Sequence, residues 1–155
     1  MAINPNTDFS AGAVLTAAQQ NRFPRGVMAY TAITTSDATV TAEEVQITGS
    51  SFTAVASRYY RITYYEPYLS STASTIFTMR IRQTNLAGTQ LQSANVINAS
   101  GTIFNGTEGI CIAVTTFSAG TVNVVGTLQS SAGTGNASGG GPPTRFLLVE
   151  DIGPA

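Results

Sequence analysis

Between Val27 and Leu128 the chain is written in short runs of Thr, Val, Ile, Phe and Tyr, separated by Gly, Ser, Asn and Ala. β-Branched and aromatic runs bounded by turn residues predict strands. Phe77, Met79 and Ile81 alternate with Thr78, Arg80 and Arg82, and Ile110, Ile112 and Val114 alternate with Cys111, Ala113 and Thr115. That period of two puts each set on its own sheet face. Strands are expected at 27–35, 39–47, 51–56, 58–66, 75–84, 89–97, 101–104, 109–117 and 120–129. Asn105-Gly106 fits a type I′ hairpin and Ser118-Ala119-Gly120 a short loop. No segment in this region carries a helical stripe. Closely spaced short strands of this kind predict an all-β fold, here a jelly-roll-like antiparallel β-sandwich.

The flanks read differently. Residues 1–26 form an amino-terminal arm, with a turn-like Asn4-Pro5-Asn6 and a small apolar stretch from Phe9 to Leu15. Thr16 is placed to cap one short helix through Ala17–Asn21, which Phe23-Pro24-Arg25-Gly26 ends. An arm so poor in apolar residues does not fold alone, so it is expected to dock in assembly through Phe9, Val14, Leu15, Phe23 and Pro24. The sandwich domain takes 27–155. It includes a Gly-rich loop at 130–143 and, because Arg145-Phe146-Leu147-Leu148-Val149 is strongly apolar, a final strand at 145–151.

Composition narrows the function. A chain of 155 residues holds one domain with a real core. Charged residues are only 10% and the net charge is −1, which gives no general attraction to nucleic acid or to an anionic membrane. Weak charge also gives weak protection against association, which suits a chain packed in an assembly. The start of the chain lacks a signal peptide's basic residues, and no apolar run approaches a bilayer-spanning length. Cys111 is the only cysteine and reads as a small buried apolar residue.

Candidate chemistry is sparse. Without His, the Ser-His-acid and Cys-His arrangements and the usual zinc ligand sets are impossible. Glu43-Glu44 and Glu150-Asp151 are neighbours on expected strands, so their carboxylates point to opposite faces. Glu66 with Glu108 is the long-range pair left open. Gly139-Gly140-Gly141 runs into prolines rather than a helix, so it is no phosphate cradle. The chain is therefore expected to be no enzyme, with no catalytic residue, metal or cofactor.

Two surface groups carry two readings each. Five of the six tyrosines lie between Tyr59 and Tyr68. Tyr60, Ile62 and Tyr64 share one face, leaving Tyr59, Arg61, Thr63 and Tyr65 on the other. Tyr59, Arg61, Tyr65 and Tyr68 then form either a subunit interface, where Tyr and Arg are enriched, or a patch on which sugar rings stack. Arg58, Arg61, Arg80 and Arg82 cluster if 58–66 and 75–84 pair as a hairpin. They then bind phosphate or, as expected, pair with carboxylates such as Glu43 and Glu66.

Three stretches bear a resemblance. FSAGAVLTAAQQNRFPRGVMAY, FTAVASRYYRIT and FLLVEDIGPA resemble, in order and spacing, segments of small virion and minor tail structural proteins of tailed bacteriophages. Ser57 stands where those proteins commonly carry Gly. The resemblance implies a jelly-roll protein of the virion surface, made in the bacterial cytoplasm. It implies a homo-oligomer, expected to be a trimer, that contacts other phage capsid or tail proteins as a head decoration or small tail-associated spike. The alternative it allows is a tail module that binds a host-surface glycan.

Overall fold

A computed structural model describes Gly12 and residues 14–99, 106–138 and 144–155. One helical turn, α1 (Ala17–Gln20), precedes twelve strands: β1 (Gly26–Ile33), β2 (Asp37–Val40), β3 (Glu44–Thr48), β4 (Phe52–Ala54), β5 (Arg58–Ser71), β6 (Thr75–Gln83), β7 (Gln90–Asn98), β8 (Thr107–Thr116), β9 (Gly120–Val122), β10 (Val124–Ser130), β11 (Gly135–Ala137) and β12 (Arg145–Pro154). All the pairings are antiparallel. One sheet runs β1-β12-β5-β8, with β11 continuing the line of β12 along β5 and β2 beyond it. The second runs β3-β10-β6-β7, and β4 pairs with β9 at one end. Counting only the eight strands of these two layers in chain order gives 1-8-3-6 facing 2-7-4-5. That order is two interlocked Greek keys, a jelly roll.

The core lies between the layers. From the first sheet it takes Tyr60, Ile62, Tyr64, Leu69, Cys111, Ala113, Leu147 and Val149; from the second Ile47, Phe77, Met79, Ile81, Val124 and Leu128. Each large side chain so buried stabilises by about 1.5–3 kcal/mol. The layers approach closely in places. A Cβ on Gly126 would lie 2.7 Å from the Tyr64 ring, so this position in β10 admits no side chain. At one end Phe52, Tyr60 and Phe117 pack with ring centroids 5.5–5.9 Å apart.

Several expected boundaries move. The stretch 39–47 is two strands in different sheets, because the chain crosses between layers at Thr41–Glu43. The stretch 120–129 is likewise split at Asn123, and 58–66 extends through Pro67 to Ser71 with a register shift between Glu66 and Leu69. Part of the Gly-rich 130–143 segment is strand: β11 bridges β5 and β2. The final strand runs to Pro154, and the expected strand at 101–104 lies outside the described residues. The proposed 58–66/75–84 hairpin does not form. β5 and β6 belong to opposite layers, as consecutive strands do where a jelly roll crosses over. Ser57, in the turn before β5, has φ 60°, the left-handed region that costs an L side chain about 1–2 kcal/mol and glycine nothing.

Candidate functional site: the arm root and the outer face

The arm begins as its sequence prescribes. Thr16 caps α1, its hydroxyl accepting from the Gln19 N–H at 3.2 Å, while the Gln19 side chain accepts the Thr16 N–H at 2.9 Å. None of the helix residues is buried. Val14, Leu15, Phe23 and Pro24 are exposed, Val14 at 88%. Phe9 lies outside the described residues.

What fixes the arm is a charge at its root. Arg58 opens β5 and is almost fully buried, with its guanidinium on Asp151 of β12: Nε at 2.5 Å from one oxygen, Nη2 at 2.7 Å from the other. The remaining donors reach out of the sandwich, Nη1 to the Asn21 carbonyl at 2.5 Å and Nη2 to the Phe23 carbonyl at 2.6 Å. Burial pushes the Asp151 carboxyl up. The Arg58 guanidinium and the N–H groups of Gly153 and Arg25 outweigh that push and hold it below the usual range. Each guanidinium nitrogen of Arg58 is thus engaged, two of them on arm backbone.

The second feature is the outer face of the β1-β12-β5-β8 sheet. The register sets Ala32, Phe146, Tyr65 and Ile110 in one row across the four strands. Tyr30, Leu148, Thr63 and Ile112 form the next, then Val27, Glu150, Arg61 and Val114. Large side chains here stay open to solvent: Val27 63%, Tyr30 54%, Ile110 53%, Ile112 45% and Val114 58%. Phe146 stacks between Tyr65 and Tyr30, with centroids at 5.2 and 6.0 Å. The single ion pair in these rows is internal, Arg61 to Glu150 at 2.7 Å. β8 reverses the usual order of burial. Its small Cys111 and Ala113 face the core while its large Ile and Val side chains face out.

The sequence candidates are only partly brought together. Tyr59, Arg61 and Tyr65 share the outer face of β5, but six residues of strand separate the two tyrosines by about 20 Å. The Tyr65 hydroxyl donates to Glu108 at 2.9 Å, and Tyr68 lies within the register shift with its ring over Gly106. Of the arginines, Arg80 and Arg82 converge on Glu43 of the chain segment before β3. Hydrogen bonds from Arg82, with further help from Thr127, hold that carboxyl low against burial. Arg58 and Arg61 take Asp151 and Glu150 instead.

Sequence reading missed Arg145. Its Nε lies 2.7 and 2.8 Å from the two Glu66 oxygens in the core, beside the Tyr64 hydroxyl, which also donates to Glu66. Its other nitrogens donate to the carbonyls of Gln46 at 3.2 Å and Ala137 at 3.1 Å. Burial raises the Glu66 pKa despite Arg145, and raises that of Tyr64 well above its ordinary value. Glu66 and Glu108 do not form a couple, since Glu66 is buried and Glu108 is exposed on the other face. Burial pushes the Cys111 thiol up to about 11, far from a reactive thiolate. No group of three or more metal-ligating side chains occurs among the described residues. No helix there is long and apolar enough to cross a membrane. A depression of about 330 Å³ lined by Gln83 and residues 116–122 holds no titratable side chain.

No family model matches the chain, and no curated protein sequence does. Solved structures do resemble it. They include an Eiger TNF from S. frugiperda (11% identity, 86% of this chain and 94% of that one, TM-score 0.46). Another is the carbohydrate-binding module CBM6cm-2 of Cellvibrio mixtus lichenase 5A, in complex with cellotriose (13%, 85% and 92%, 0.41). A third is the CBM22-1 xylan-binding domain of Paenibacillus barcinonensis Xyn10C (12%, 86% and 99%, 0.35). At these TM-scores the likenesses are loose, and the strand pairings themselves define the chain as a jelly-roll β-sandwich carrying a short helical arm.

Proposed function

We propose that this protein is a non-enzymatic structural component of a bacteriophage virion surface, an oligomer that joins its neighbours through its amino-terminal arm. The observation that carries the reading is the arm root. A buried ion pair costs several kcal/mol of desolvation per ion, and the sandwich places one where it grips the carbonyls of Asn21 and Phe23. The apolar side chains beyond that grip stay exposed. A segment held firmly at its base with its apolar groups outward is built to contact something else. The resemblance of the two ends and of the 52–63 segment to phage structural proteins supplies the setting, as a head decoration or small tail spike.

The test is incorporation. The protein should occur at fixed, high copy number in purified particles, and removing residues 1–20, which spares the gripped carbonyls, should abolish its loading. Normal loading of the truncated chain would end the arm hypothesis.

A second reading, recognition of a host glycan, has one observation in its favour, the outer-face aromatic stripe of exposed Tyr30 with half-buried Phe146 and Tyr65. It requires the isolated protein to bind host cells or glycans, and Ala at Tyr30, Tyr65 and Phe146 to weaken that binding. No loss from any of the three would sink it.

A further inference from the structure

We propose that the outer face of the β1-β12-β5-β8 sheet is the surface on which a second copy of this chain packs. The inference rests on the assembly reading and names one of its partners. The two outer faces of the same sandwich differ in chemistry. Along β6 and β10 the outward positions are Thr78, Arg80, Arg82, Thr127 and Gln129, with Glu43 bound among them, and the apolar ones are confined to the strand ends at Ile76 and Val125. Along β8, β12 and β1 they are Ile110, Ile112, Val114, Phe146, Leu148 and Tyr30. A sandwich layer needs one apolar face, and the first sheet has two.

β8 sharpens the point, since it turns its largest apolar side chains away from a core that takes only Cys111 and Ala113. In a chain that stayed alone those side chains would meet water. Four strands by about six residues of length present roughly 400 Å² of sheet, within the roughly 300–600 Å² of the largest patch a typical monomer exposes, which is often functional. That is about half of the ~800 Å² each partner of a stable pair covers, so loops around the face and the arm complete the contact.

The charge pattern selects a second copy over a charged partner. Arg61 and Glu150 neutralise each other within the face. Glu108, two residues before Ile110 at the edge of the face, carries a charge outside that pair and accepts the Tyr65 hydroxyl. Two faces that keep their Glu108 edges apart therefore meet without like-charge repulsion, whereas a charged partner finds no counter-charge left over within the three rows.

The test uses the full chain and its Ile112→Glu and Ile112→Lys variants in sedimentation equilibrium. Ile97→Glu, on the outer edge of the other layer, serves as control because that side chain is also well exposed. Wild type and control are expected as one discrete oligomer at micromolar concentration. Each Ile112 variant should weaken association about 30-fold or more. Mixing the Glu and Lys variants should restore it. Thermal melts establish that the variants are folded, and Val114→Lys replaces any that is not. A wild type that is monomeric at about 100 µM, or an oligomer untouched by Ile112→Glu and Val114→Lys, overturns the inference. Particle loading separates it from the assembly reading. A monomer whose Ile112→Glu variant fails to load assigns the face to a different virion protein. An oligomer absent from particles keeps the face and discards the virion role.

Discussion

Replacing Arg58 with Met removes the charge but keeps much of the apolar stem, so it isolates the grip on the arm. Asp151 would keep its N–H donors from Gly153 and Arg25 but lose its counter-ion. Removing one partner of a buried pair costs 3–5 kcal/mol; at the rim of the sandwich the lower figure of about 3 kcal/mol applies. At about 2–4 °C per kcal/mol for a chain of this size, the melting temperature should fall by roughly 6–12 °C. The arm should respond more sharply. The carbonyls of Asn21 and Phe23 each lose a hydrogen bond to a charged donor, together about 2 kcal/mol at least, or roughly a 30-fold rise in local opening. Trypsin reads that opening directly. The chain has no Lys, and of its Arg only Arg22 and Arg25 lie in the arm, both exposed. Cleavage there should accelerate by the same factor well below the melting temperature. An unchanged cleavage rate with a melting shift under about 2 °C would show that Arg58 does not hold the arm.

Three further outcomes follow from the same geometry. Asp151 and Glu43 have folded-state pKa values below their unfolded ones, so their contribution is present above about pH 4 and is lost as pH falls through the folded values. Glu66, whose pKa is raised, has the opposite sign and adds nothing to that loss. Acid melts should show the gap between wild type and Asp151→Asn closing toward about pH 2–3, and a constant gap contradicts the assignment. Arg145→Met should cost about 3–5 kcal/mol in denaturant by leaving Glu66 buried without its cation. Adding Glu66→Leu should recover at least half of that, and no recovery would place the cost in the carbonyl contacts instead. At Ser57, stability should rank Gly at or above Ser and both above Val by about 1 kcal/mol or more, with a stable Ser57→Val excluding the left-handed turn.

Much of this architecture was legible in the chain because it depends on local rules. Period two names the faces of β5 and β6, where Tyr60, Ile62 and Tyr64, and Phe77, Met79 and Ile81, are buried. Thr16 and Gln19 announce the capping box. Layer assignment is not local. Nothing in Thr41–Glu43 says that the chain changes sheets there, and nothing in 58–66 and 75–84 says that they face each other across the core rather than pair. β8 shows the limit of apolar rank. Alternation separates its two sets, but only the narrow space beside Met79 and Leu69, where even Gly109 has no room for a Cβ, decides that the small set goes inward. The arginines expected to pair with carboxylates do so, Arg80 and Arg82 on the expected Glu43, yet the partners of Arg58 and Arg61, Asp151 and Glu150, lie at the far end of the sequence. Arg145 looked like one more residue of an apolar strand.

Arg145 also bears on how β11 and β12 are held together. Ser138 donates its N–H to the Tyr68 carbonyl at 3.0 Å, and Phe146 sits opposite Tyr65, so the two ends of segment 138–146 are moored on the same strand three residues apart. The Arg145 guanidinium closes the mooring by holding the Ala137 carbonyl and Glu66 together. The two flanks of this connection are thus fixed independently of its length. Lengthening it costs only about 0.6 kcal/mol per doubling, because loop-closure entropy grows with the logarithm of length. A longer connection between Ser138 and Thr144 would therefore leave the strands that flank it in register.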